Sequence, residues 1–201
     1  MDAFSLLKAD HRKVAELFEQ LESASGKQKL TVFDQIKTEL ELHTHIEEKI
    51  FYPALEEPKE THDLTLEAYE EHDVVKRLLQ ELGRARTAND EWEAKAKVLR
   101  ENVEHHVEEE EGELFKKAGK ALGAEEIESL GEEMEAEKAR KQRGSATKSS
   151  KKSANKSASK TTAGGRAAKR TRSTKKSSGS KSVATKSRAR SGSKKSGAKK
   201  R

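Results

Sequence analysis

Apolar residues recur three and four positions apart in four stretches of the chain, a spacing typical of the inward face of a bundled helix. The first stretch places Leu7, Val14, Phe18 and Leu21 on that face. The pattern predicts four long helices and a short charged one, at about residues 3–23, 30–52, 60–86, 90–118 and 124–141. Because short loops join long helices, antiparallel neighbours are favoured. The sequence therefore predicts an all-α, up-and-down four-helix bundle followed by a short C-terminal helix.

Residues that begin or end helices lie between these stretches. Asp2 is a suitable N-cap for the first helix, and residues 87–90 supply loop and cap residues before the fourth. Pro53 and Pro58 are predicted to bracket a turn, because neither continues a helix easily. Gly123 is predicted to follow the end of the fourth helix.

Each apolar face is interrupted by a histidine, and two faces also carry a glutamate. The interrupting residues are His11, His43, Glu47, His72, His106 and Glu110. In helices 2 and 4 the histidine and the glutamate are four residues apart, so both side chains point in one direction. An unpaired carboxylate is costly to bury, and a shared metal ion is the simplest feature that makes all the interruptions tolerable. Mixed histidine and carboxylate ligands suit non-haem iron, manganese or zinc, and two bridging glutamates would hold two metals.

A lone histidine on a core face is more often structural than a ligand. The recurrence at matching positions in four successive helices favours the metal. Glu71 and Glu111 adjoin ligand positions, where they are either hydrogen-bond acceptors for imidazole or part of a solvated face. His105 is expected at the surface, and Tyr52 in the core, with a hydrogen bond to a bound ligand as the less favoured alternative.

Charge divides the chain sharply. Residues 1–143 carry 22 Lys and Arg against 36 Asp and Glu, a net charge of −14. Residues 144–201 carry 20 Lys and Arg and no Asp or Glu, a net charge of +20. Val183 is the only large apolar residue in this segment, so it lacks the apolar surface that offsets the entropy of ordering. The sequence predicts a domain at 1–143 and a disordered basic tail at 144–201.

The basic tail suits the phosphate backbone of nucleic acid, because lysine and arginine release counterions there. It has no aromatic residue, which argues against base stacking. Binding to its own acidic domain, an acidic partner or membrane lipid is the alternative. The chain has no cysteine, no visible secretory signal and no apolar run of the ~20 residues that span a bilayer. A cytoplasmic, nucleoid-associated protein is the expectation.

Four segments carry a resemblance to a known family: LLKADHRKV, HTHIEEKIFYP, EEHDVVKRLL and HHVEEEEGELF. In this order they resemble the hemerythrin-like HHE cation-binding domain, over about residues 3–140. The resemblance implies a four-helix bundle with a non-haem, typically di-iron site, and it matches the six interrupting residues to the family's ligands. Oxygen-carrying hemerythrins also place a histidine four residues before the ligand at His72, where this chain has Ala68. The resemblance thus implies more open coordination and argues against simple oxygen carriage.

Three functions remain open at this point. The first is a metal-dependent binder or sensor of oxygen, nitric oxide or iron and redox state, associated with nucleic acid through its tail. The second is a di-iron enzyme that consumes peroxide or nitric oxide. The third is a structural nucleoid protein with a metal-binding head.

Overall fold

The computed structural model describes the backbone of residues 1–158 and the side chains of residues 1–144. No strand occurs within this range. The α-helices are α1 (Ala3–Ser23), α2 (Lys27–Ile46), α3 (Tyr52–Glu56), α4 (Lys59–Leu82), α5 (Asp90–Glu109), α6 (Phe115–Ala121) and α7 (Ala124–Ala158). Two five-residue π-helical segments, π1 (Glu47–Phe51) and π2 (Glu110–Leu114), join α2 to α3 and α5 to α6. The bundle helices are therefore α1, α2–π1–α3, α4 and α5–π2–α6, and the predicted all-α fold is confirmed.

Capping side chains begin α1 and α5 where the sequence predicts them. The backbone N–H of Ser5 donates to Asp2 Oδ1 at 2.9 Å, and the N–H of Trp92 donates to Asn89 Oδ1 at 3.0 Å. Each bond satisfies one of the free donors of a helix N-terminus. Gly123 follows α6 with φ of 78°, a conformation that glycine adopts without steric cost.

Pro53 lies inside a helix, so the prediction that it opens a turn is wrong. The N–H of Tyr52 donates to the carbonyl of Glu47, five residues back, and the ordinary four-residue ladder is therefore already broken before Pro53. A residue without an N–H is tolerated at such a break. Pro58 does precede a helix start, because α4 begins at the next residue. The helix ends at Leu82, earlier than predicted, with Gly83 as its C-cap.

Two apolar clusters fill the bundle, one on each side of a polar layer. One cluster includes Val14, Leu40 and Val103, and the other includes Leu7 and Ile46. Each helix therefore runs from one cluster into the other, and the predicted interruptions lie between them.

The last helix, α7, packs on α1 and π1. It buries Ile127 and Met134 in the second cluster. Its backbone stays helical to Ala158, beyond the predicted end near residue 141 and past the expected domain boundary at 143. Alanine and lysine in this extension are good helix formers, whereas its serines and glycine are weaker ones, and no proline interrupts it. Residues 159–201, most of the predicted disordered tail, lie outside the described residues, and the division into domain and tail stays a prediction. None of the described helices is long and apolar enough to cross a bilayer.

Gly131 marks the closest approach of α7 to the N-terminus. A Cβ added there would lie 2.6 Å from the backbone nitrogen of Ala3, whereas one added at Gly144 would meet nothing within 4 Å. We expect Gly131→Ala to lower the free energy of unfolding by about 1–3 kcal/mol, because backbone cannot move aside easily. Gly144→Ala, in the same helix, should leave it unchanged or raise it by up to about 1 kcal/mol. Chemical denaturation checks both, and equal effects would contradict the close contact.

Candidate metal centre

The polar layer between the two apolar clusters brings together all of the residues that interrupt the apolar faces. Every one of them is buried, with at most 6% of its surface exposed. They form two overlapping groups whose ligand atoms lie within 4.8 Å of one another. The first group is His11, His43, Glu47 and Glu110, and the second is Glu47, His72 and His106.

The histidines form two pairs, each made between helices. The Nε2 atoms of His11 and His43 are 3.2 Å apart, and those of His72 and His106 are 3.3 Å apart. All four rings therefore present Nε2 to the interior of the bundle. Such separations match two ligands on one metal, since bonds of ~2.1 Å place neighbouring ligand atoms roughly 3.0–3.4 Å apart.

Glu47 lies between the two pairs. Its Oε2 is 3.2 Å from His43 Nε2 and 3.4 Å from His72 Nε2. Glu110 faces the first pair, with Oε2 3.3 Å from His11 Nε2. A carboxylate between two imidazole pairs has the position of a ligand shared by two metals.

An acidic side chain faces the outer nitrogen, Nδ1, of each histidine ring. The pairs are His11 with Glu111 at 2.7 Å, His72 with Glu48 at 2.9 Å, His106 with Glu71 at 2.7 Å and His43 with Asp10 at 3.8 Å. A carboxylate at Nδ1 keeps the proton there, so that Nε2 offers its lone pair to a metal. The inward orientation of the rings is thus supported from outside the layer.

These four acidic residues occupy equivalent sequence positions relative to the predicted ligands. Each adjoins a predicted ligand in the sequence but supports a histidine on a different helix; Glu48, for example, follows Glu47 and supports His72. Glu71 and Glu111 accept hydrogen bonds from imidazole rings, which is one of the two roles that the sequence indicated for them. Sequence reasoning missed Glu48 and Asp10, because in an acidic domain their adjacency to a ligand is the only available signal.

Several buried polar atoms of the layer have no hydrogen-bond partner among the described residues. These atoms are both carboxylate oxygens of Glu47, Oε2 of Glu110, Nδ1 of His43 and Oδ2 of Asp10. A buried carboxylate without partners is costly. Metal ions between the glutamates and the histidines would satisfy the inward-facing oxygens, so the donor set fits a dinuclear metal centre.

Burial and the neighbouring carboxylates act in opposite directions on the imidazoles of the layer. Burial prevails at His43 and His72, whereas the Glu110 and Glu111 carboxylates overcome burial at His11 and raise its pKa. Burial lowers the pKa of His43 to about 4 and also lowers the pKa of His72. Burial and the neighbouring Glu110 carboxylate raise the pKa of Glu47 well above its ordinary value. Burial opposes ionisation of Glu110 as well, but the close contact with His11 and the positive charge that the neighbouring histidines can carry outweigh it and lower the pKa of Glu110 to about 2. Neutral imidazole is the form that binds metal.

Residues 2–118 match the family described as the Hemerythrin HHE cation binding domain. The chain belongs to this family. A hemerythrin HHE cation binding domain-containing protein of Mycobacterium kansasii has a similar structure, with a TM-score of 0.64 and 28% sequence identity, over 73% of this chain and 90% of that one. A relative in Nostoc sp., named a DNA nickase, is 31% identical over 141 residues. The match covers 70% of this chain but 40% of the nickase, so the chain spans less than half of that relative's length.

The two π-helical segments of this HHE domain begin at the two glutamates of the polar layer. Glu47 starts π1 and Glu110 starts π2, so each carboxylate lies where an α-helix widens. Irregular helical turns of this kind occur often at functional sites. The spacing of four residues predicted that each glutamate shares a direction with its histidine, but it gave no indication of a π-helical turn.

Tyr52 contributes a further polar atom to the layer. Its side chain is completely buried, and its hydroxyl lies 3.3 Å from His72 Nε2 and 3.4 Å from Glu110 Oε1. The sequence favoured a plain core position for this tyrosine. The structure places its ring in the core and its hydroxyl at the edge of the HHE centre.

Two small cavities adjoin the centre on opposite sides. The first, of about 20 Å³, is lined by the four histidines and by Val14, Leu40, Thr44, Val75, Val103 and Val107. The second, of about 10 Å³, lies beside Ala68 and is lined also by Leu64, Glu71, His106, Glu109, Glu110 and Leu114. Each has roughly the volume of one water molecule or a similarly small ligand. The second lies where the oxygen carriers place an additional histidine.

The remaining histidines lie outside the centre, and the surface position predicted for His105 is confirmed. His105 is on the surface, with 63% of its side chain exposed. His45 is half-buried and lies 2.8 Å from Glu137 of α7. His62 is exposed and contacts the carbonyl of Glu56.

Replacing Glu47 tests the shared ligand directly. We expect Glu47→Gln to reduce bound metal from about two ions per chain to one or none, because an amide is a poor bridge between cations. The metal-free variant should be at least as stable as metal-free wild type, because Gln removes a buried, unpartnered carboxylate. Metal analysis and denaturation with and without chelator measure the two effects. Glu101→Gln, at an exposed glutamate, is the control; two metals retained by Glu47→Gln would contradict the bridging position.

Proposed function

We propose that this HHE domain holds two non-haem metal ions, iron in the first place and zinc or manganese as alternatives, and binds a small ligand such as oxygen or nitric oxide. The proposed ligands are His11, His43, Glu47, His72, His106 and Glu110. The observation that carries the proposal is the buried, unpartnered carboxylate of Glu47 between two histidine pairs. When bound, such metals supply open coordination positions and redox chemistry.

The residues around the centre support the binding of a small ligand. Apolar side chains, including Val75 and Val103, line the 20 Å³ cavity against the histidine rings. An apolar wall excludes charged and bulky molecules but admits a diatomic one. On the opposite side, Tyr52 directs its hydroxyl towards the centre, where it can donate a hydrogen bond. Ala68 supplies no ligand atom, which is consistent with sensing or reaction more than with reversible carriage of oxygen.

Filling the apolar cavity tests this proposal. We expect Val103→Leu to weaken nitric oxide binding by about tenfold, because overpacking costs about 1–3 kcal/mol and 1.4 kcal/mol is one decade in affinity. Its iron content should remain that of wild type, since Val103 supplies no ligand atom. Anaerobic titration of the iron-loaded chain, followed by visible absorption, measures the affinity. Val98→Leu is the matched control, because Val98 lies on the same helix but is 45% exposed. Equal affinity in both variants would contradict a ligand position in this cavity.

A di-iron enzyme that consumes peroxide or nitric oxide is the alternative for the same centre. Its discriminating property is repeated turnover. If iron-loaded wild type destroys many equivalents of hydrogen peroxide and His72→Ala does not, the enzyme is favoured over the sensor. Stoichiometric binding without turnover favours the sensor.

We further propose that residues 144–201 associate with nucleic acid through phosphate contacts. The support is their charge of +20 without a single acidic residue, and the relative in Nostoc whose name concerns DNA. The acidic domain at 1–143 would be repelled by DNA, so the association depends on the basic segment. A nucleoid-associated structural role with a metal-binding head is the alternative form of this proposal. In that case bound metal has no effect on DNA binding.

Deleting residues 144–201 tests this association. We expect the deletion to abolish binding to duplex DNA, with metal content as the check that the bundle remains intact. For the full-length chain, affinity should fall by about 10³–10⁵-fold between 50 and 200 mM salt, if 6–10 phosphates are contacted. Fluorescence anisotropy with and without bound metal measures both effects. Retained binding after deletion, or binding that does not depend on salt, would contradict the proposal.

A further inference from the structure

We propose that Glu71, His105 and Glu109 form an outer metal site through which ions pass to and from the buried centre. This inference rests on the proposed dinuclear centre. The three side chains offer ligand atoms that all lie within 4.8 Å of one another. They lie on α4 and at the C-terminal end of α5, on the side of the bundle that carries the cavity beside Ala68.

The geometry of this outer site suits a divalent cation. His105 Nε2 is 3.5 Å from Glu109 Oε1 and 3.8 Å from Glu71 Oε1. Metal bonds of ~2.1 Å place neighbouring ligands roughly 3.4 Å apart in a tetrahedron, so these atoms need only small shifts to share one ion. His105 and Glu109 are four residues apart on one helix, the spacing found in the buried pairs. Three protein ligands leave water in the remaining positions, as a transit site requires.

Glu71 belongs to both sites. Its Oε2 accepts from His106 Nδ1 at 2.7 Å, and His106 presents Nε2 to the buried centre. Its other oxygen, Oε1, faces His105. One carboxylate therefore contacts a buried ligand with one oxygen and the outer site with the other, so the two sites are separated by a single side chain.

A second connection runs through the cavity beside Ala68. Glu109 and Glu110 are consecutive residues, and both line this cavity together with Glu71. Glu109 is partly exposed, whereas Glu110 is 1% exposed and its Oε2 has no hydrogen-bond partner among the described residues. Acidic residues of the outer site and of the buried centre therefore line one cavity, and such a lining attracts cations. A histidine in place of Ala68 would occupy this space.

Cobalt(II) titration of the full-length, metal-free chain tests the outer site. We expect wild type to bind two Co²⁺ tightly and a third more weakly. The double variant His105→Ala/Glu109→Gln should lose the third equivalent and keep the two tight ones. Its initial rate of Co²⁺ uptake should fall by about tenfold, the scale on which individual groups around a metal site contribute. Visible absorption gives the stoichiometry, and stopped-flow mixing gives the rate.

The control variant is His62→Ala/Glu101→Gln, which removes an exposed histidine and an exposed glutamate elsewhere and should behave as wild type. If His105→Ala/Glu109→Gln keeps the third equivalent, the outer site is refuted. If the third equivalent is lost while uptake is as fast as in wild type, the transit role is refuted. Failure of wild type to bind two Co²⁺ tightly would instead refute the dinuclear centre, and the outer site with it.

Discussion

The carboxylate of Glu47, completely buried and without a hydrogen-bond partner among the described residues, is the constraint on which the rest of the structure depends. A charge in that position is costly unless a proton or shared cations neutralise it. The histidine pairs on either side supply the other donor atoms, and acids hydrogen-bonded to three of the four rings hold them so that Nε2 points inward. In the proposed centre, metal ions would remove this cost and so couple the stability of the HHE fold to metal binding.

The layer containing Glu47 also divides the core. Each bundle helix contributes apolar residues to one cluster, then a ligand, then apolar residues to the other cluster. Close packing on both sides limits how far the layer can relax. The π-helical turns at Glu47 and Glu110 lie within this layer and join consecutive α-helices without a break in the helical backbone. One of them also explains why Pro53 is accommodated within a helix.

Acidic residues connect the surface of the bundle to the same layer, and two of these connections involve functional proposals or the last helix. On one side, Glu71 links His106 to the exposed His105. On the other, Asp10, which faces His43, forms an ion pair with Lys138 of α7. Glu137, the preceding residue, contacts His45 and Lys49. The helix that leads into the basic segment is thus attached to the bundle beside a residue that supports the metal centre.

The sequence alone determined the helical faces, the order of the helices and the six residues of the buried layer, because periodicity and spacing of four residues are properties of a single helix. It did not determine which histidines pair, or that Glu48 supports His72 from another helix. Those relations depend on the rotation and register of one helix against its neighbour, which tertiary packing decides. The inward hydroxyl of Tyr52 was settled in the same way, since it depends on contacts with His72 and Glu110, which are distant in the chain. The π-helical turns and the helical Pro53 are local features that the periodicity of apolar residues did not indicate.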